Sequence, residues 1–116
     1  MGARINYVFR DGSGVSPVLY SHWGQDSWET DIAGALQHAK PRLGDSSYAT
    51  RMMISYLIQD SILHDTGFGI YAVAGDDYDL GDQTVIIDFT DNTVTDNVAV
   101  NFDKFVLAYG KQPVNA

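Results

Sequence analysis

The chain of 116 residues has no cysteine, which rules out a disulfide framework and thiolate metal ligands and permits a cytoplasmic location. No stretch approaches 18 uninterrupted apolar residues, so a membrane-spanning helix is excluded. The N-terminus lacks a basic stretch followed by an apolar run, so no secretory signal is expected. Met1-Gly2 invites N-myristoylation, but Asn6 stands where Ser or Thr is required. Glutamate occurs once, as Glu29, against fourteen aspartates. Most conspicuous, no Lys or Arg occurs between Met52 and Asp103, a span that holds ten Asp.

That desert carries the charge. Residues 1–51 hold five acids and five bases, and residues 104–116 add Lys104 and Lys111, so the span between them, with ten Asp and no base, supplies all of the negative charge behind the net −8. Such a field repels nucleic acid and membrane surfaces and attracts basic protein patches or divalent cations. Asp favours caps, turns and loops, because its short side chain bonds nearby backbone amides. The acids are therefore expected at loops and element ends, where they also serve solubility.

What is present describes one folded domain over residues 1–116. Hydrophobic content of 45% and fourteen aromatics argue against disorder. Ile5, Tyr7 and Phe9 alternate as a strand, 10–14 is a turn, and 17–23 is the return strand, with Pro17 at its start or on a sheet edge. Asp26 and Glu29 have capping-box-like spacing ahead of a helix that places Trp28, Ile32, Leu36 and Ala39 on one face and stops at Pro41. Asp45, Ser46 and Ser47 offer N-caps for a second helix reaching to about Leu63, apolar around most of its circumference and so predicted to be the most buried. Gly67 is its left-handed stop.

Strands are predicted at 70–74 and 84–89, with the acidic loop 75–82 between them, then a turn at 90–93 and a weaker strand within 94–100. Phe102, Phe105, Val106 and Tyr109 fall at i, i+3, i+4 and i+7, an amphipathic helix capped by Gly110, and 111–116 is read as a frayed tail. The order β-β-α-α-β-β-β-α, with tight turns between strands, predicts an α+β fold of two layers: an antiparallel sheet of four to five strands with three helices on one face.

Four groupings of residues are candidates for carrying chemistry. Asp76, Asp77, Asp79, Asp82, Asp91 and Asp96 form the candidate partner-binding set. Within it, Asp77, Asp79 and Asp82 partly follow the spacing of a calcium loop, but Gly81 stands where an acid or Asn is wanted, and the twelfth position is Asp88 rather than Glu. Tyr20, His22 and Trp23 end the second strand, with Tyr20 and His22 on one face and Trp23 on the other, and could frame a pocket. His22, His38 and His64 lie on different elements without the i, i+4 pairing of a helical zinc site, and His64-Asp65 suits a helix C-terminus. Phosphate-binding, dinucleotide-binding and serine-nucleophile signatures are all missing, so no cofactor is implied.

Met1-Gly2-Ala3-Arg4, the strand that follows, and Tyr20-x-His22-Trp23 resemble small uncharacterised bacteriophage and bacterial proteins that begin Met-Gly-x-Arg and carry Tyr-x-His-aromatic on their second strand. The resemblance implies a phage or mobile-element context and the cytoplasm of a host cell. Combined with the acidity, it leads to the expectation of an interaction protein that occupies a basic surface of another protein, as an inhibitor of a host defence or nucleic-acid-binding protein does (anti-CRISPR-like, with electrostatics resembling those of DNA). A small enzyme or ligand-binding domain with a pocket at Tyr20, His22 and Trp23, and a structural or assembly subunit, are the alternatives.

Overall fold

A computed structural model describes residues 4–22, 26–75 and 78–110. The elements run β1 (Ile5–Arg10), β2 (Val15–Ser21), α1 (Trp28–Ala39), a 3₁₀ turn (Lys40–Arg42), α2 (Ser46–Ile58), β3 (Phe68–Ala74), β4 (Gln83–Asp88), β5 (Thr93–Thr95), β6 (Ala99–Asn101) and α3 (Phe102–Tyr109). The α+β class and the three helices are as anticipated. The sheet differs: among the described residues it has six strands in the order β3-β2-β1-β4-β5-β6, and β1 pairs with β4 in parallel, so it is mixed.

The reason lies in β1. Its first five residues are all buried, the profile of a central strand covered on both faces and flanked on both sides. The hairpin partner β2 fills one side through Ile5↔Ser21 to Val8↔Val18, and β4 fills the other through Ile5↔Gln83 to Arg10↔Asp88. Strand β3 therefore goes beyond β2, and the chain returns to β4 across both inner strands. The extra strand arises because Asp96-Asn97 makes a turn, with the Asp96 carboxylate accepting from the Asn97 N–H, which divides the predicted 94–100 strand into β5 and β6.

Pro17 lies inside β2, a strand with neighbours on both sides, rather than at its start or on an edge. The β1–β2 ladder ends at Val8↔Val18, one step short of the position where a donor from residue 17 would be needed. The missing N–H therefore removes one rung at the end of a ladder.

All three helices share one core with the face of the sheet formed by Ile5, Tyr7, Phe9, Leu19, Val85, Ile87 and Val94. In α1, Trp28, Ile32, Leu36 and Ala39 are buried as the periodicity predicts, together with Ala33, Gly34 and Ala35, because α1 packs against both other helices as well as the sheet. Each fully buried Ile or Leu there contributes roughly 1.5–3 kcal/mol. Asp45 caps α2, accepting from the Tyr48 N–H at 3.4 Å. Two expectations for α2 fail. It ends at Ile58, and only Ala49 and Met53 are buried, so α1 is the most buried helix. Ile62 and Leu63 are 65% and 93% exposed in the turns that follow. His64-Asp65 consequently lies beyond the helix, and Gly67 (φ +100°) leads into β3, its carbonyl accepting from the His22 N–H at 2.9 Å. Ser27 takes the N-cap position of α1, and its hydroxyl donates to Asp31 at 2.8 Å.

The second face of the sheet is covered in part by the β3–β4 connection. Val8 and Val18 are fully buried there, beside Asn6 and Ser16 at 2% and 3% exposure. The Tyr71 hydroxyl donates to Asn6 Oδ1 at 2.9 Å, and the hydroxyls of Tyr78 and Ser16 are 3.2 Å apart. Residues 78–82 thus form a strap across the back of the sheet rather than a hairpin loop. Among the described residues no helix is long and apolar enough to cross a membrane.

Candidate functional site

The strand directions sort the charges into two ends. β1, β3 and β4 begin, and β2 finishes, at one end. Helix α1 begins and α2 finishes there too, since Ser21, Ser27, Asp31, Ser61 and Gly67 line a single recess of about 220 Å³. This end gathers Asp26, Glu29, Asp31, Asp60, Asp65, Asp79, Asp82 and Asp96: eight acids, with Arg4 as the one Lys or Arg among the described residues there. At the opposite end Asp11, Asp45, Asp88, Asp91 and Asp103 stand with Arg10, Lys40, Arg42 and Lys104, and charge nearly cancels. Arg51 lies midway along α2.

The predicted acidic set is divided by this arrangement. Asp79, Asp82 and Asp96 line one recess of about 370 Å³ with Tyr78, Leu80 and Thr84. Gly81 (φ +84°) supplies the left-handed turn that brings the strap into β4, and the β4–β5 pairing carries the Asp96 turn alongside. Asp91 is at the far end, in the β4–β5 turn, where its N–H donates to Asp88 at 3.3 Å. Asp76 and Asp77 lie outside the described residues. The acids that α1 and the segment after α2 bring to the same pole as Asp79 are absent from the predicted set: Asp26, Glu29 and Asp31 belong to a stretch whose charges balance in sequence, and Asp60 and Asp65 stand well before the acidic loop.

Two tyrosines respond to this field. Tyr7, on the recess beside Asp31, has its ionisation pushed well above the usual phenol range by burial first, and then by the charges of Asp31 and Glu29. Tyr71 is raised by burial and by Asp82. At the balanced pole the reverse holds. Hydrogen bonds from Ser13 hold the Asp11 carboxyl below its ordinary value, and Ser46 also donates to it at 3.1 Å. Burial pushes Asp88 up, but bonds from Thr90 and Asp91 and the Arg10 guanidinium at 3.0 Å outweigh it and leave the group lowered.

Tyr20 and His22 share the strapped face, as alternation requires, and the Tyr20 hydroxyl lies 3.1 Å from His22 Nδ1. Ser21 points to the helix side and lines the 220 Å³ recess. Trp23 is outside the described residues. Among the described residues no group of three His, Cys, Asp or Glu side chains is placed to hold a metal ion. A wider recess, about 560 Å³, opens at the balanced pole between Asp11, Ser46, Asn92, Asn101, Phe102 and Asp103. Its residues come from separate segments of the chain, so no spacing in the sequence announces it. Compared with protein-family models, curated proteins and solved structures, the chain finds no match.

Proposed function

We propose that this is a protein-binding module whose acidic pole docks on a basic surface of another protein, such as the groove in which a nucleic-acid-binding or host-defence protein holds its nucleic acid. The observation that supports this is the gathering of eight described acids against Arg4 at one end of a small rigid sheet. Low-dielectric walls and one sign of charge focus the field at such a surface and speed the encounter with an oppositely charged partner. The recess between Asp79, Asp82 and Asp96 would admit a Lys or Arg side chain from that partner. A phage-type inhibitor with this chemistry would act in the cytoplasm of a host cell.

The test is capture of host proteins on the immobilised chain, with duplex DNA as competitor. The expected result is retention of basic proteins at low ionic strength and their release by DNA. Release is also expected at about 1 M salt, where the screening length falls to roughly 3 Å. Replacing Asp79, Asp82 and Asp96 by Lys should abolish retention while leaving the circular dichroism spectrum unchanged. Equal retention by the native and charge-reversed chains overturns the proposal.

A further inference from the structure

The two edges of the sheet are unlike. β6 is three residues long, which protects an edge by brevity. β3 is seven residues long, Phe68-Gly69-Ile70-Tyr71-Ala72-Val73-Ala74, and among the described residues pairs only with β2. It has none of the devices that blunt an edge: no charge, no proline and an unbroken register over seven pairs. Ile70 is 63% exposed and Tyr71 40%. The nearest charged residues in sequence are Asp65 and Asp76.

Hydrogen bonds just beyond the ladder fix which groups face outward. The His22 N–H donates to Gly67 O and the Gly75 N–H to Gly14 O, both at 2.9 Å. Alternation between these two points directs the backbone groups of residues 69, 71 and 73 toward β2. The N–H and C=O groups of Phe68, Ile70, Ala72 and Ala74 therefore face outward along the free edge.

We propose that this edge pairs with the same strand of a second copy, antiparallel and centred on Tyr71. That register matches every outward group with another: Phe68 with Ala74 and Ile70 with Ala72, each twice by the two-fold axis. Side chains fit as well, because each larger residue lies opposite a small one (Phe68 against Ala74, Ile70 against Ala72, Val73 against Gly69). Tyr71 meets its own counterpart, and its hydroxyl already leans away to Asn6. The two-fold stands perpendicular to the sheet, so helices of both copies lie on one face and the pairing is self-complementary. Antiparallel pairing also sets the acidic pole of one chain beside the balanced pole of the other. A protein of net charge −8 can thus associate with its two acidic poles at opposite ends of the dimer.

Light scattering on the size-exclusion peak tests this with the whole chain. The native protein is expected at about twice 12.8 kDa, dissociating on dilution. Ala72→Pro removes an outward N–H that β2 does not use, and Ala72→Lys puts a charge opposite Ile70; both should run as monomers with an unchanged far-ultraviolet spectrum. Tyr71→Cys introduces a lone thiol on the axis, where non-hydrogen-bonded partners have Cα atoms about 4.5 Å apart, within the reach of a disulfide. Mild oxidation should convert it to a covalent dimer, and Val73→Cys, opposite Gly69, should not cross-link. Salt should strengthen this dimer, because each copy carries a net charge of −8, whereas it weakens binding at the acidic pole; the two proposals can fail separately. A monomeric native protein at every concentration overturns the dimer, as does a dimer that survives both substitutions at Ala72.

Discussion

Asp88 shows how much one carboxylate does at the balanced pole. It ends β4, accepts from the Thr90 N–H at 2.8 Å and the Asp91 N–H at 3.3 Å, and pairs with Arg10 at 3.0 Å across the parallel β1–β4 rung. It thereby holds the β4–β5 turn and ties the first strand to the fourth. Asp88→Ala should cost about 2–3 kcal/mol in urea unfolding, since bonds to a charged acceptor are lost and two turn amides are left without a partner. Asp88→Asn keeps an oxygen for the amides and should cost about 1 kcal/mol or less, the value of a part-exposed ion pair. The pH dependence follows from the lowered folded pKa. The carboxylate stabilises the fold above its unfolded value, near 3.8, and that contribution disappears as pH falls through the folded value. The advantage of the native chain over the Asn variant should therefore be constant at neutral pH and vanish in acid; an advantage that grows on acidification contradicts the assignment.

Helices α1 and α2 meet at Gly34, where an added Cβ would stand 2.2 Å from the Tyr56 hydroxyl and 2.7 Å from the ring carbon that bears it. Alanine would improve helix propensity by about 1 kcal/mol, but the Tyr56 ring would have to leave its seat. Gly34→Ala should accordingly destabilise by roughly 1–2 kcal/mol. In a Tyr56→Ala background the same change should become stabilising, and thermal melts of the four proteins read the sign. Local signals of this kind are what sequence carries well. The apolar face of α1, the Asp45 cap of α2, the β1–β2 hairpin and the i, i+3, i+4, i+7 pattern of α3 all depend on near neighbours in the chain. Signals that depend on what covers an element are not carried. Ile62 and Leu63 continue the apolar pattern of α2, yet the helix stops at Ile58, and nothing in 68–74 states that the strand goes to the far side of β2. The parallel β1–β4 pairing was not legible, because Asn6 gives Ile5 to Phe9 the look of an alternating hairpin strand, and only the folded chain buries all five residues.

Across the whole molecule, folding redistributes charge. Three acids of the Lys- and Arg-free stretch, Asp88, Asp91 and Asp103, go to the balanced pole, and three from the balanced half of the sequence, Asp26, Glu29 and Asp31, go to the acidic one. The acidity of the candidate site could be read from composition, but its membership could not, because strand direction decides it. Such a pole repels itself, and that repulsion is part of the folding equilibrium. Raising ionic strength should stabilise the protein, since the screening length shortens from about 30 Å at 0.01 M to about 10 Å at 0.1 M. Asp65→Lys and Asp82→Lys, both at the acidic pole, should each raise stability by roughly 0.2–1 kcal/mol at low salt, with the gain shrinking as salt is added. Asp103→Lys, at the balanced pole, should give a smaller gain at the same ionic strength. Equal effects from all three sites would mean that the field is uniform over the surface, and the acidic pole would then have no special claim as a contact surface.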